Sequence, residues 1–146
     1  MDTANKYEDA SGVFELTQKD FKGDRINNEE LRGKFGLLKV YAPWCRYCND
    51  IVPPLTFLAK GLAKENFFIA AVNITNEKDN NHILKDTLNV PSFPTLFFVR
   101  TDGSLEKYES DDRSIETLLQ KICSFTKKCC RKEKDSTGVS RLVCVD

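Results

Sequence analysis

The chain lacks an excess of charge of either sign: 22 Lys and Arg balance 22 Asp and Glu over 146 residues. Phosphate binding needs a net basic footprint, so nucleic acid is not an expected partner. No apolar run approaches the roughly 18–20 residues of a membrane span, and no transmembrane segment is expected. Internal repeats and low-complexity stretches are missing. The opening residues 1–10 are polar and acidic, unlike a signal peptide, and the chain ends without an ER-retention sequence or a prenylation box. As written, the sequence reads as cytoplasmic, with the secretory pathway as the alternative if a leader was removed. Histidine is represented only by His82.

The six cysteines are many for a cytosolic chain of this size, yet below the density of a disulfide scaffold. The length suits one domain with tails. Residues 1–10 read as a flexible segment, residues 11–125 as the domain, and residues 126–146 as a basic, cysteine-containing tail with six Lys or Arg against three Asp or Glu.

Within the domain, Val13 to Thr17 alternates like a half-buried strand. Residues 19–34 have an irregular helical pattern weakened by Gly23. Leu37 to Ala42 is a buried-type strand stopped by Pro43. Ile51, Leu55, Leu58 and Leu62 then mark one helix face, with Pro53 and Pro54 predicting a bend. A second buried strand covers residues 67–74, a polar helix residues 80–87, and an Asp102-Gly103 turn joins two hairpin strands. A last helix carries Ile115, Leu118, Leu119 and Ile122, with Asp112 or Ser114 as N-cap. The order β-α-β-α-β-α-β-β-α predicts an α/β fold, a mixed central β-sheet flanked by helices on both faces. Asn73-Ile74-Thr75 matches a glycosylation acceptor and, lying on a buried strand, reads as chance.

Cys45-Arg46-Tyr47-Cys48 follows a buried strand and opens a helix. Unpaired N–H groups and the helix dipole favour a negative charge there, which lowers the Cys45 pKa and yields the attacking thiolate. One helical turn brings Cys48 within reach to resolve a mixed disulfide. Arg46 adds a nearby positive charge. A structural disulfide and half of a zinc site are the competing readings. Zinc would need His82 or the C-terminal cysteines, none of which forms a second Cys-x-x-Cys. No metal or organic cofactor is expected.

Tyr41-Ala42-Pro43-Trp44-Cys45-Arg46-Tyr47-Cys48, Pro53 five residues later, and Val90-Pro91-Ser92-Phe93-Pro94-Thr95 together resemble the thioredoxin superfamily, in particular the catalytic domains of protein disulfide isomerases. The resemblance spans about residues 11–125 and implies the thioredoxin fold and a thiol–disulfide oxidoreductase. Its substrates would be disulfide- or thiol-containing proteins, recycled by a redox partner protein or small thiol. It places Trp44 beside the nucleophile, makes Cys48 the buried resolving thiol, and makes Pro94 a cis-proline facing the pair. A loop of Phe93, Pro94 and Thr95 can then pair with an extended substrate. Pro94 in an ordinary trans loop is the alternative. Arg113 matches an arginine held to lower the second cysteine's pKa; a solvated residue at the helix start is its other reading. A binding or scaffold module on the same fold is the competing function.

Two departures stand out. Arg46-Tyr47 replaces the Gly-Pro or Gly-His spacer. Lys39 stands where the family usually holds a buried acid. Buried and neutral, Lys39 accepts a proton from Cys48; charged, it stabilises the Cys48 thiolate; snorkelling, it does neither. Lys39 and Arg46 together are expected to raise the reduction potential, without fixing the redox direction. Cys123 reads as simply buried. Cys129, Cys130 and Cys144 read first as incidental thiols on a disordered extension. The other readings are an electron shuttle to the active site, a link in a disulfide-joined dimer instead of a monomer, and a palmitoylated membrane contact.

Overall fold

The computed structural model describes residues 11–145, so the flexible segment expected at 1–10 lies outside the described residues. Five strands form the central sheet in the order β1-β5-β4-β6-β7. These are β1 (Val13–Leu16), β4 (Phe35–Tyr41), β5 (Phe67–Asn73), β6 (Thr95–Val99) and β7 (Leu105–Lys107). β1, β5 and β4 run parallel, and β6 and β7 are antiparallel, so the sheet is mixed as expected. β4 and β5 are buried on both faces, which explains why their runs are apolar throughout except for Lys39 in β4 and the terminal Asn73 in β5.

Residues 19–34 are not a helix. A 3-10 turn at Gln18–Asp20 leads into a small hairpin, β2 (Phe21–Lys22) and β3 (Arg25–Ile26). Gly23 sits at φ 60, a left-handed conformation that turns the chain, and Asp20 takes the Thr17 N–H on its side chain. Local turn chemistry here outweighs the weak helical periodicity.

The expected bend is a break. α1 (Arg46–Asp50) ends before Ile51, and α2 (Val52–Leu62) restarts with prolines in its first turn, where their missing N–H groups are tolerated. Leu55, Leu58 and Leu62 are fully buried against β4 and β5, each contributing roughly 1.5–3 kcal/mol by leaving water. α3 is shorter than expected, Leu84–Thr87 after a 3-10 turn at Asn81–Ile83. α4 (Ile115–Thr126) is capped by Ser114 Oγ, which accepts the Thr117 N–H.

The tail departs most from expectation. It forms an antiparallel hairpin, β8 (Cys129–Lys134) and β9 (Ser140–Val145), and all six cysteines are paired within the chain: Cys45–Cys48, Cys123–Cys129 and Cys130–Cys144. Cys123 is therefore a half-cystine, and the tail cysteines are not incidental thiols on a disordered extension. Asp135 Oδ1 collects the Thr137 and Val139 N–H groups and Gly138 adopts φ 86, which closes the turn. Cys130, Leu142 and Cys144 pack against the core beside α2 and α4. A Cβ at Gly61 would run into the Leu142 side chain.

Candidate active site: a dithiol where a strand gives way to a helix

β4 ends at Tyr41, and Ala42 accepts the Cys45 N–H in a tight turn. This turn delivers Cys45 to the N-cap of α1, where its Sγ accepts the Cys48 N–H at 3.1 Å. An N-cap acceptor takes up an amide that would otherwise lack a partner, and a thiolate accepts more strongly than a thiol. The geometry thus favours the charged form of Cys45. Cys45 is 6 % exposed and Cys48 fully buried, and the two form a disulfide with Cα atoms 5.2 Å apart. Only Cys45 can be approached from outside.

Trp44 and Tyr47 flank this point and are 71 % and 67 % exposed. Trp44 meets Phe93 edge to face, ring centroids 5.8 Å apart. Phe93 joins Pro94 through a cis peptide, and Thr95 Oγ1 donates to the Ser92 carbonyl at 2.7 Å. The loop carrying Phe93, Pro94 and Thr95 and the strand-to-helix turn are therefore brought together. Arg46 is exposed at the first position of α1. Arg113 is half-buried and lines a 190 Å³ cavity with Pro94, Thr95 and Asp111; its Nε is buried without a hydrogen bond among the described residues.

Behind the dithiol, Lys39 is fully buried rather than snorkelling. Its Nζ donates to the Cys48 carbonyl at 2.8 Å and lies 4.9 Å from the Tyr41 ring centroid. Burial lowers its pKa from 10.5, the Glu15 carboxylate offsets part of that fall, and the net value is about 7. Lys39 thus changes charge within the neutral range. Sequence gives Glu15 no role and Tyr41 none beyond its place in the motif ahead of Cys45. The available signal was period: Glu15 shares a strand face with buried Val13, an acid on the side that faces α2.

The tail cysteines are not brought to this site. β8 packs on α4, and β9 reaches the Gly61 end of α2, on the order of 20 Å along the helices from Cys45. His82 lies on the turn before α3, and among the described residues no three His, Cys, Asp or Glu side chains cluster to hold a metal.

A dithiol at a helix start, with one sulfur reachable, one buried and a cis-prolyl loop opposite, is an arrangement suited to thiol–disulfide exchange. The thioredoxin family model matches residues 12–124. The chain belongs to the thioredoxin family. It is 32 % identical over 109 residues to a protein disulfide-isomerase of Medicago sativa, an alignment covering 74 % of this chain and 19 % of that protein. It is 34 % identical over 106 residues to protein disulfide isomerase-like 1-1 of Arabidopsis thaliana, covering 73 % and 19 %. The chain thus spans about a fifth of the length of these relatives. Among solved structures, the J-Trx1 fragment of ERdj5 superposes with a TM-score of 0.62 at 26 % identity, covering 80 % of this chain and 52 % of that one. The first thioredoxin domain of mouse protein disulfide-isomerase A4 gives 0.62 at 23 %, covering 78 % and 75 %, a likeness of fold. The α/β architecture is therefore the thioredoxin fold.

Proposed function

We propose that this chain catalyses thiol–disulfide exchange on protein substrates, with Cys45 as nucleophile and Cys48 as resolving thiol. The observation that carries the reading is the Cys48 N–H aimed at Cys45 Sγ, with Cys48 itself sealed beneath. Cys45 attacks one sulfur of a substrate disulfide and forms a mixed disulfide. Cys48 then attacks Cys45 Sγ and expels the substrate as a dithiol, leaving the pair oxidised. In the opposite direction the oxidised pair accepts a substrate dithiol and delivers a disulfide. Residues 11–125 form the working unit, and residues 126–146 a stapled appendage.

Trp44, Tyr47 and Phe93 supply an exposed aromatic collar, and the Pro94–Thr95 loop offers backbone to an extended substrate. Lys39 bears directly on Cys48, and Arg46 adds charge beside the nucleophile. Both favour the reduced, thiolate-bearing form and hence an oxidising pair, nearer the roughly −180 mV of protein disulfide isomerase than the roughly −270 mV of thioredoxin. Relatives named protein disulfide-isomerase support that direction. Two further disulfides in the tail fit work in an oxidising compartment, with a partner protein or small thiol resetting the pair.

Refolding of a reduced, disulfide-containing test protein in a glutathione buffer, beside insulin reduction, checks the reading. Wild type is expected to accelerate both, and Cys45→Ser to fall by about 10³-fold or more. Turnover that survives Cys45→Ser would sink it. A retained grip on unfolded chains without turnover in wild type would favour the scaffold.

A further inference from the structure

The base behind the resolving cysteine has a counter-charge that does not lie next to it in sequence. Glu15 on β1, Ala71 on β5 and Lys39 on β4 occupy one row across three parallel strands. Neighbouring strands are about 4.8 Å apart, and Ala71 contributes only a methyl group, so the two long side chains face each other across it. Tyr41, two residues beyond Lys39, shares that face. Its Oη donates to Glu15 Oε1 at 2.6 Å, and its ring lies beside Lys39 Nζ. Tyr41 is buried, whereas Glu15 is exposed and borders, with Tyr41 and Asn73, a 530 Å³ cavity at the carboxyl ends of these strands. The carboxylate therefore stays hydrated, which avoids the penalty of a second buried charge, while its field reaches the amine past a buried ring that excludes water.

We propose that Glu15 is a positioning residue for the resolving step: through Tyr41 it holds Lys39 against Cys48 and gives that amine enough proton affinity to act as the Cys48 base. The inference rests on the exchange reading above and extends it to the origin of the Cys48 thiolate. Once Cys45 is joined to substrate, the Cys48 S–H bond breaks and its proton passes to the neutral Lys39 amine. The Cys48 thiolate forms a bond to Cys45 Sγ, and the Cys45–substrate S–S bond breaks with its electron pair on the leaving substrate sulfur. Two electrons have then moved from the dithiol to the substrate disulfide, and the Lys39 ammonium releases its proton to solvent. Without Glu15, a buried lysine is neutral but a poorer base.

Among the described residues, the ionisable groups facing Lys39 can be named element by element. β1 offers Glu15, its own strand offers Tyr41, and α1 offers the Cys45–Cys48 pair. β5 and β6 place Ala71 and Leu96 at the paired positions, and the buried face of α2 is Leu55, Leu58, Ala59 and Leu62. A shift in the Lys39 titration on changing Glu15 is thus interpretable.

The test is the rate at which a preformed mixed disulfide between Cys45 and thionitrobenzoate resolves, followed in the full chain from pH 5 to 9. Wild type is expected to rise through one midpoint to a plateau. In Glu15→Gln the midpoint moves down by about one pH unit and the plateau drops severalfold, as loss of a nearby charge predicts. Glu15→Asp restores most of both, and Tyr41→Phe moves them part of the way. In a Lys39→Met background, Glu15→Gln has no further effect. Lysine-selective NMR titration of the oxidised protein reads the same downward shift without catalysis. An unmoved midpoint in Glu15→Gln, or an equal shift in the Lys39→Met background, overturns the assignment and leaves exchange standing. A wild-type chain that forms no Cys45 adduct removes the exchange reading and this inference together.

Discussion

The Cys45–Cys48 pair sits at the start of α1 and the Cys123–Cys129 and Cys130–Cys144 bridges sit on α4 and the terminal hairpin, and exposure orders them the wrong way for a simple rule. The pair is almost wholly buried, whereas the tail cysteines are half-buried. What separates them is the surroundings. Cys45 Sγ accepts an amide N–H at a helix start, and a buried amine rests on the Cys48 carbonyl. In the tail, Cys129 Sγ instead lies 3.9 Å from the Lys127 carbonyl, an acceptor, and Cys130 faces Cys144 across two paired strands. Donor groups that stabilise a thiolate suit one bridge to the proposed exchange, whereas the surroundings of the others suit staples. One region also holds an unfavourable buried charge, whereas the other gains covalent links.

The largest test of this contrast removes that charge. Between pH 7 and 10.5 the unfolded chain binds more protons at Lys39 than the folded one, because burial lowers the folded pKa to about 7. Stability from this site therefore rises with pH across that window; the burial penalty is full below pH 7 and gone above 10.5. Lys39→Met in the oxidised protein is expected to be more stable than wild type by about 3–5 kcal/mol at pH 6, the gain vanishing towards pH 10.5, in denaturant titrations at several pH values. A gain independent of pH would mean that Lys39 is not the strained group.

Next in size is the staple. Cys130→Ala with Cys144→Ala opens a loop of 14 residues and is expected to lower stability by about 3 kcal/mol or less. Exchange activity should stay within about twofold of wild type, since the hairpin packs chiefly on α4 and the Gly61 end of α2. Loss of activity beyond the loss of folded protein would join the two regions functionally.

The smallest effect is the most diagnostic. Ala at Gly61 gains about 1 kcal/mol of helix propensity but collides with Leu142. Gly61→Ala is expected to destabilise the full chain and to stabilise the Leu142→Ala variant by about 1 kcal/mol, read by thermal melting. The same sign in both backgrounds would show that the hairpin does not bear on α2.

Sequence made the parallel core and the dithiol legible because both depend on local patterns: apolar runs for β4 and β5, interrupted in β4 only by Lys39, and a Cys-x-x-Cys between a strand and a helical stripe. It misread residues 19–34, where Gly23 and the Asp20 side chain favour a turn that periodicity does not register. The tail escaped for another reason. Its strands hide alternation under basic residues, and Leu142 finds its partner at Gly61, 81 positions earlier. Lys39 was visible as an anomaly, but its counter-charge was not, because Glu15 reaches it only once three strands are laid in register.

Because Cys129 and Cys130 are adjacent yet belong to different bridges, they create a covalent shortcut. A pull applied beyond Cys144 runs through that residue to Cys130, across one peptide bond to Cys129, and through Cys123 into α4, leaving residues 124–128 and 131–143 unloaded. Oxidised, the end of the chain is a stiff tether anchored in a helix of the core. Reduction of both bridges would release on the order of 60 Å of slack from those segments, turning a rigid attachment into a compliant one.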